Sequence, residues 1–315
     1  MQNYLIWIIA LQTRLLNLVL EETHMAKRSS GFTQTIVRGT KNDDTLEGAV
    51  GVAERLVGSG CNDTLIGEWG DIANTPSGYL IYDGGIGIDT LDFTQFHDPV
   101  SDKGIAIDLY QGYIYRDWTT LNFGDLYDPQ FATRLKGAVL GVENVIGSDF
   151  DDYIKGNHAV NYIGGRAGND HLSTRLGTNT LIGGADDDHI HMSAEVGTLT
   201  GDGGGIENGN DIFYLGGGYA DIYSMNRITD FDLRDSAEDT QFDKLYLTSS
   251  NALTWGENEA GELVAYMTYQ NSTDVLGEIV FTGLTLDDLD SMALYSIDYY
   301  NGATVTPISV PAEWP

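Results

Sequence analysis

The sequence is poor in two kinds of residue that commonly stabilise proteins or bind partners. It has one cysteine, Cys61, in 315 residues, so no disulfide can form within the chain. Only 16 lysines and arginines stand against 47 aspartates and glutamates, a formal net charge of −31. This charge argues against nucleic-acid binding and against adhesion to anionic membranes. If the protein works outside the cell, bound metal is the obvious substitute for disulfides.

A long hydrophobic run is also absent. The apolar segments Tyr4 to Leu11 and Leu15 to Leu20 are interrupted by a Gln-Thr-Arg triplet, so we expect no membrane span. Residues 1–30 are predicted to form an apolar N-terminal helix or extension that packs on the body or on a partner. An equally ranked alternative is that Met25 is the natural start.

Motifs for catalysis are missing as well. The sequence contains no HExxH zinc-protease motif, no GxSxG nucleophile elbow and no phosphate-binding P-loop. We therefore predict no catalytic residues and no organic cofactor, and we expect that the protein is not an enzyme.

What the sequence does contain is a repeat of nine residues. Its 39 glycines cluster there, and Asp or Asn stands two positions before most of the repeated aliphatic residues. A nine-residue period is typical of a parallel β-roll or β-solenoid, in which each unit is one tight turn and one short strand. The repeated aliphatic residues are Ile154, Ile163, Leu172, Leu181, Ile190 and Leu199.

Two such units make one coil of the solenoid, so alternate units stack at a spacing of roughly 4.8 Å. One edge should then carry Asp152, Asp170 and Asp188 in a column. The other edge should carry Asn161, Asn179 and Gly197 at the same position. We expect calcium to bind strongly along the Asp edge and weakly or not at all along the Asn edge, which another segment or a partner could cover.

The full nonapeptide GGxGxDxUx, where U is a large aliphatic residue, occurs from Gly84 to Leu91, and partial copies begin at Gly147, Gly165 and Gly183. These residues resemble the RTX, or hemolysin-type, calcium-binding repeats. The stretches VENVIGSDFDDYIKGN and ITDFD with FDKLYL are similar to regions that flank the repeats in serralysin-type C-terminal tails. The resemblance implies several Ca²⁺ ions, an extracellular, secreted or particle-surface location, and export by type I secretion.

The chemistry of the turns also favours calcium. Glycines leave backbone carbonyl oxygens uncovered, and Ca²⁺ takes several oxygen ligands, whereas zinc would prefer His and Cys. Cys61 stands where the motif has a glycine, so we expect Asp63 and Asp44 to be poor ligands. The predicted metal-site residues are Gly84, Gly87, Asp89, Asp149, Asp152, Gly165, Gly168, Asp170, Gly183, Asp186, Asp188 and Asp211.

The sequence divides into five predicted segments of an all-β protein. They are the N-terminal helix at 1–30, irregular repeats at 31–92, an aromatic-rich β insert at 93–146, a regular roll at 147–215, and a C-terminal β unit with a tail at 216–315. The aromatic insert is predicted to be core, with a sugar-binding platform as the alternative. His171, His189 and His191 are predicted to form a neutral outward column, with a transition-metal site as the alternative.

We expect from these features a calcium-binding extracellular structural or binding protein that folds when calcium binds. It could be an adhesive, surface or assembly component, and it could self-assemble or bind a protein partner through the N-terminal helix or the Asn edge. The alternatives are a secreted enzyme acting on polysaccharide, with a glycan as its partner, and a non-catalytic module of a larger secreted complex.

Overall fold

The strands alternate along the chain between two long sheets. The computed structural model describes residues 35–48, 54–67, 80–96, 104–115, 135–174, 177–192, 196–203, 209–215, 224–233, 241–248, 251–269, 275–298 and 304–307. In spatial order, the 13-stranded sheet, sheet A, consists of β1 (Thr35–Arg38), β3 (Glu54–Gly60), β5 (Leu80–Ile86), β9 (Leu135–Leu140), β8 (Tyr113–Tyr115), β7 (Ala106–Asp108), β11 (Tyr153–Lys155), β13 (His171–Thr174), β15 (His189–Met192), β17 (Ile212–Leu215), β19 (Lys244–Thr248), β23 (Ala293–Asp298) and β24 (Thr304–Pro307).

The second sheet has 11 strands, and it contains most of the even-numbered ones. Sheet B consists, in spatial order, of β2 (Thr45–Glu47), β4 (Thr64–Ile66), β6 (Thr90–Asp92), β10 (Asn144–Ile146), β12 (Tyr162–Ala167), β14 (Asn179–Ala185), β16 (Gly197–Thr200), β18 (Ser224–Ile228), β22 (Val275–Phe281), β21 (Leu263–Tyr269) and β20 (Asn251–Glu257). A short 3-10 helix spans Leu286–Ser291. Neighbouring strands of the repeats pair in parallel, so the predicted parallel β-solenoid is confirmed.

The nine-residue spacing places successive aliphatic side chains in opposite sheets. In sheet A, Leu172 is paired with Ile154 on one side and with Ile190 on the other. In sheet B, Leu181 lies between Ile163 and Leu199 in the same way. All six predicted aliphatic residues are fully buried. Burial of each such side chain contributes about 1.5–3 kcal/mol, so the hydrophobic repeat is one source of the stability of the stacked coils.

The predicted aromatic insert changes one coil of sheet A. Leu91 pairs directly with Val145 in sheet B, although 54 residues separate them in sequence. In sheet A, the place of a single strand is taken by the antiparallel strands β7, β8 and β9. Ile107 and Ile114 from these strands are fully buried. The described part of the insert therefore contributes to the solenoid core.

Antiparallel strands cover the C-terminal end of the solenoid. Strands β18 and β19 continue the parallel sheets, after which β20, β21 and β22 form an antiparallel meander and β24 pairs antiparallel with β23. Arg227 of β18 holds the meander through both carboxylate oxygens of Glu262, at 2.8 and 3.1 Å. Both sheets therefore continue from the repeats into the predicted C-terminal unit.

The predicted N-terminal helix at residues 1–30 lies outside the described residues. Among the ranges that the structure describes, no helix has the length and apolar character needed to cross a membrane.

Candidate metal sites in the turns of the solenoid

The turns between the sheets form two edges of the solenoid. Edge 1 contains the turns that lead from sheet A to sheet B, and edge 2 contains the turns that lead from sheet B to sheet A. In these turns, an acidic or amide residue lies two positions before the buried core residue of the following strand, except before Leu199, where Gly197 takes this position. On edge 2 these residues are Asp152, Asp170, Asp188, Asp211 and Asp243; on edge 1 they are Asp44, Asp63, Asp89, Glu143, Asn161 and Asn179.

One carboxylate oxygen of each edge 2 aspartate links neighbouring coils. The backbone N–H of Asp152 donates to Oδ1 of Asp170 at 2.7 Å, and that of Asp170 donates to Oδ1 of Asp188 at 2.8 Å. The pattern continues from Asp188 to Asp211 and from Asp211 to Asp243. All five aspartates are fully buried. This column satisfies turn N–H groups that would otherwise be buried without acceptors.

The second carboxylate oxygen is left without a donor at three of these positions. Oδ2 of Asp170, Asp188 and Asp211 is buried and accepts no hydrogen bond. A buried polar oxygen with no partner costs about 1–3 kcal/mol, and a bound cation would remove that cost. The orphaned oxygens are therefore the strongest sign of a ligand in the turns.

Backbone carbonyl oxygens lie beside these orphaned carboxylate oxygens. A methyl group placed on Gly165 would collide with Oδ2 of Asp170 and would lie 2.6 Å from the carbonyl oxygen of Gly183. A methyl group on Gly183 would likewise collide with Oδ2 of Asp188 and lie 2.8 Å from the carbonyl oxygen of Gly201. Each glycine thus allows a carboxylate and a carbonyl from the next coil to approach one point, the donor set that suits Ca²⁺.

Burial makes the charged state of this column costly when no cation is bound. Desolvation, and after it the nearby carboxylates of Asp152 and Asp188, raises the pKa of Asp170 well above its usual value. Desolvation likewise raises the pKa of Asp211 to about 7 and that of Asp243 to about 9. A divalent cation would supply the missing positive charge, so the residues present fit calcium.

The first coils carry the same arrangement on the opposite edge. On edge 1, the backbone N–H of Asp63 donates to Oδ1 of Asp89 at 2.7 Å, and the N–H of Asp44 donates to Oδ1 of Asp63 at 2.9 Å. Asp63 and Asp89 are buried, and Oδ2 of each has no hydrogen-bond partner. Methyl groups on Gly58 and Gly84 would collide with these oxygens. The acidic column therefore lies on edge 1 before the insert and on edge 2 after it.

After the insert, amides replace the carboxylates on edge 1. Oδ1 of Asn179 accepts the N–H of Asn161 at 2.9 Å, which keeps the link between coils. The side-chain amide of Asn161 donates instead to the carbonyl of Glu143 at 2.8 Å and to Oδ1 of Asn157 at 2.9 Å. An N–H donor occupies the place of the orphaned oxygen, so this half of the edge offers no equivalent carboxylate to a cation.

The predicted ligands divide into groups with different surroundings. The structure brings Asp89, Asp170, Asp188 and Asp211 into the arrangement described above. Asp152 is buried in the column, but Oδ2 accepts the N–H of Ser148 at 2.6 Å and Oδ1 accepts its hydroxyl at 2.8 Å. Its carboxylate is thus satisfied within the protein.

Two other predicted ligands, Asp149 and Asp186, are exposed. Oδ1 of Asp149 accepts a 2.7 Å hydrogen bond from Nη2 of Arg166, and the two side chains form an ion pair. Asp186 has a φ of +77° and its Oδ2 accepts the N–H of Gly168 at 3.2 Å. Gly87 and Gly168 occupy the corresponding turn position with φ values of +159° and +103°. These residues shape the turn or lie at its surface, outside the buried oxygen cluster.

Sequence reasoning missed two members of the columns and a second ladder. Asp63 is predicted to be a poor ligand and Asp243 is absent from the predicted set, although each lies two residues before a buried leucine. The preceding residue also links the coils, because Oδ1 of Asp151 accepts the N–H of Asn169 and Oδ1 of Asn169 accepts that of Asp187, both at 2.9 Å. The Asx-Asp dipeptide, as in Asn62-Asp63 and Asn169-Asp170, was the available signal, but Asp243 follows Phe242 and lacks it.

The histidines form part of an aromatic row on sheet A. His171 and His189 have ring centroids 4.5 Å apart, and Tyr214 lies 5.6 Å from His189. Burial lowers the pKa of His171 and His191 to about 4. Across the described ranges, no three His, Cys, Asp or Glu side chains come together as a metal cluster. Calcium in the turns would therefore depend on backbone carbonyls as well as on single carboxylates.

No protein-family model matches the sequence, and no curated protein matches it. Among solved structures, the chain is similar to the extracellular lipase LipA from Serratia marcescens, with 16% sequence identity and a TM-score of 0.22. The similarity covers 82% of this chain and 39% of the lipase chain, so this chain spans well under half the length of that protein. The assignment of a parallel β-solenoid therefore rests on the strand register, and the lipase similarity carries no argument about activity.

Proposed function

We propose that this protein is a calcium-stabilised β-solenoid that works outside the cell as a structural or binding component. The observation that carries the proposal is the set of buried aspartates whose Oδ2 atoms have no donor: Asp63, Asp89, Asp170, Asp188 and Asp211. These carboxylates, with glycine carbonyls of the adjacent coil, would hold the ions. Bound calcium would supply positive charge between stacked turns, and the chain's own residues supply the column and the core.

The extracellular location follows from the proposed calcium dependence. Extracellular modules bind calcium with dissociation constants of about 10⁻⁴–10⁻³ M, so a solenoid of this kind would gain its full stability only where calcium is millimolar. The chain has a net charge of −31 and one cysteine. Calcium would therefore provide the stabilisation that disulfides provide in many secreted proteins.

A binding role is supported by the amide half of edge 1. Val160, Tyr162 and Val196 are 63%, 43% and 45% exposed there. The neighbouring Asn161 and Asn179 are buried and already hydrogen-bonded. This half of the edge thus presents apolar side chains on a surface without buried acids, which favours contact with a partner or with another copy.

The proposal is tested by unfolding the full chain in urea after removal of calcium with EGTA and after stepwise addition of calcium or magnesium. Ligand at 100 times its dissociation constant stabilises the folded state by about 2.7 kcal/mol per site. We expect a calcium-dependent rise in the unfolding free energy and in far-UV β signal, with little effect of magnesium. Identical unfolding curves in EGTA and millimolar calcium would refute the calcium role.

Light scattering in the same titration tests the assembly role. Scattering that rises with calcium would support self-assembly, whereas a constant monomer mass would exclude it and indicate that the partner is a different molecule.

Asp287→Asn is a control for the loss of one negative charge outside the turns, because Asp287 is an exposed acid in the 3-10 helix. This variant should respond to calcium as the unmodified protein does.

A further inference from the structure

A buried pair of opposite charges lies on the outer face of sheet A, away from the turns that join the two sheets. Asp108 of β7 and Lys155 of β11 are cross-strand partners, and Oδ2 of Asp108 lies 3.5 Å from Nζ of Lys155. The side chain of Asp108 is 1% exposed and that of Lys155 is 16% exposed. Ala106, Tyr115 and Tyr153 form a buried apolar cluster beside them. The calcium proposal gives this pair no role.

The two oxygens of Asp108 have different surroundings. Oδ1 accepts the backbone N–H of Gln111 at 2.8 Å, and the backbone N–H of Tyr110 also donates to the carboxylate. Oδ2 faces the lysine amine at a distance longer than that of an ordinary charge-assisted hydrogen bond. Backbone N–H groups that donate to a carboxyl group can stabilise the oxyanion that forms during attack on its carbonyl carbon.

Burial also affects the charge of the Asp108 carboxyl group. Desolvation is the largest influence on Asp108 and raises the pKa of its carboxyl group. The reaction requires a neutral amine as nucleophile and a neutral carboxylic acid, whose hydroxyl can leave as water. One proton passed from Nζ to Oδ2 within this pair supplies both forms, since the two atoms lie 3.5 Å apart.

We propose that Asp108 and Lys155 become joined by an intramolecular isopeptide bond in the folded protein. Nζ attacks Cγ and forms the N–C bond, while the negative charge that develops on Oδ1 is stabilised by the N–H group of Gln111. The Cγ–Oδ2 bond then breaks, and a proton from Nζ leaves with Oδ2 as water. One amide and one water are formed from one acid and one amine, with no oxidation or reduction.

The position of the pair explains why a covalent link would be useful. Strand β7 is the first strand of the meander that replaces one regular strand of sheet A, and β11 begins the regular coils after it. The pairing of β7 with β11 extends over three residue pairs. A bond between Asp108 and Lys155 would fasten the irregular coil to the regular ones, and folding would supply the proximity that the reaction requires.

The test is the intact mass of the full chain, purified from calcium-containing buffer and measured in denaturant. We expect a mass lower by one water molecule than the sequence requires, and a branched tryptic peptide that joins Asp108 to Lys155 with no cleavage after Lys155. A mass equal to that of the sequence, with separate peptides for the two residues, would overturn the proposal.

Three variants identify the reacting groups. Lys155→Arg keeps the positive charge but cannot form the bond, so its mass should equal that of its sequence. Asp108→Asn should lose ammonia and arrive at the same branched product, since the carbonyl carbon and amine remain. Arg55→Lys creates a lysine beside Asp83, at a partly exposed pair 3.1 Å apart, and should lose no second water. Water loss that persists in Lys155→Arg would also overturn the proposal.

Discussion

The backbone N–H of Asp170 donates a 2.8 Å hydrogen bond to Oδ1 of Asp188, while Oδ2 of Asp188 is buried without a partner. One carboxylate thus has two separable tasks. Oδ1 joins neighbouring coils, and Oδ2 is available to a cation beside the carbonyl of Gly201. Asparagine retains the first task and removes the second, as Asn161 and Asn179 show on the opposite edge.

Asp188→Asn should therefore lower the number of bound calcium ions without unfolding the solenoid. We expect the substitution to stabilise the calcium-free protein. Burial raises the pKa of Asp188 to about 9, so folding near pH 7 must protonate this carboxyl group, whereas an amide is already neutral and keeps the hydrogen bond from Asp170. The same substitution should weaken the stabilisation that calcium provides. Equilibrium dialysis with calcium and urea unfolding in EGTA measure the two effects.

Asp187→Asn is the matched control for this prediction. Asp187 is exposed, and its Oδ1 accepts hydrogen bonds from the backbone and side-chain nitrogens of Asn210, each at 2.8 Å. The change removes the same charge one residue away and keeps the acceptor. Calcium stoichiometry should stay unchanged; an equal loss in both variants would mean that net charge, and not Oδ2 of Asp188, determines binding.

Calcium should bind on edge 1 in the first coils, even where the nonapeptide is imperfect. Asp63 and Asp89 share the buried, partnerless Oδ2 of the edge 2 aspartates. Asp63→Asn and Asp89→Asn should each reduce the number of bound ions, as Asp188→Asn does. Asn62→Asp is a useful control, since Asn62 is exposed and uses Oδ1 only to accept the N–H of Ile88. An unchanged ion count in both Asp variants would confine calcium to edge 2.

The repeat in the sequence predicted the core more completely than it predicted the edges. The spacing from Ile154 to Leu199 assigns alternate residues to the two sheets, because one turn and one strand fit each period. The pairing of Leu91 with Val145 could not be predicted in this way, since 54 residues with no regular period separate them. Without that pairing, Asp89 cannot be placed in the same column as Asn161.

The role of Asp63 was hidden by the residues around it. Cys61 stands in place of a turn glycine, which predicts a weakened site, and Ser59 likewise replaces a glycine of the turn. Both nevertheless adopt positive φ values, +68° and +90° respectively. The backbone conformation of the turn is therefore retained, although it is energetically unfavourable at these two non-glycine residues. The sequence shows that the glycines are replaced. It does not show whether the packing of the core outweighs the backbone cost of keeping the turn, which the structure shows.

Cys61→Gly should stabilise the protein by about 0.5–1 kcal/mol. Left-handed conformation costs a non-glycine residue about 1–2 kcal/mol, and the greater freedom of glycine in the unfolded chain offsets about 0.4–1 kcal/mol of the gain. The hydrogen bond from the thiol to the carbonyl of Lys41, 3.1 Å long, is lost, but a thiol is a weak donor. Urea unfolding at saturating calcium measures the change.

A substitution in the opposite direction, from glycine to a larger residue at another turn, supplies the control. Gly168→Ala places a methyl group at a φ of +103° and within 2.5 Å of the backbone nitrogen of Asp151. It should destabilise the protein by more than Cys61→Gly stabilises it, since steric overlap adds to the backbone cost. A destabilising effect of Cys61→Gly would show that the thiol contributes more to packing than its exposed position indicates.

The calcium-free protein should lose stability as the pH rises from 7 to 9. The pKa values of Asp211 and Asp243 are raised to about 7 and about 9, against about 3.9 in the unfolded chain. In this range the folded state binds more protons than the unfolded state, so the unfolding free energy decreases with pH. Each group protonated only in the folded state contributes about 1.4 kcal/mol per pH unit.

This pH interval separates the aspartates from the histidines. The pKa values of His171 and His191 are lowered to about 4 by burial, so these residues are neutral above pH 7 in the folded state and nearly so in the unfolded state. Urea unfolding at pH 7 and 9 in EGTA should show the decrease. Calcium should abolish it, because a bound cation favours ionised carboxylates at both pH values, and Asp211→Asn should reduce it. Greater stability of the calcium-free protein at pH 9 would contradict the uncompensated burial of the column.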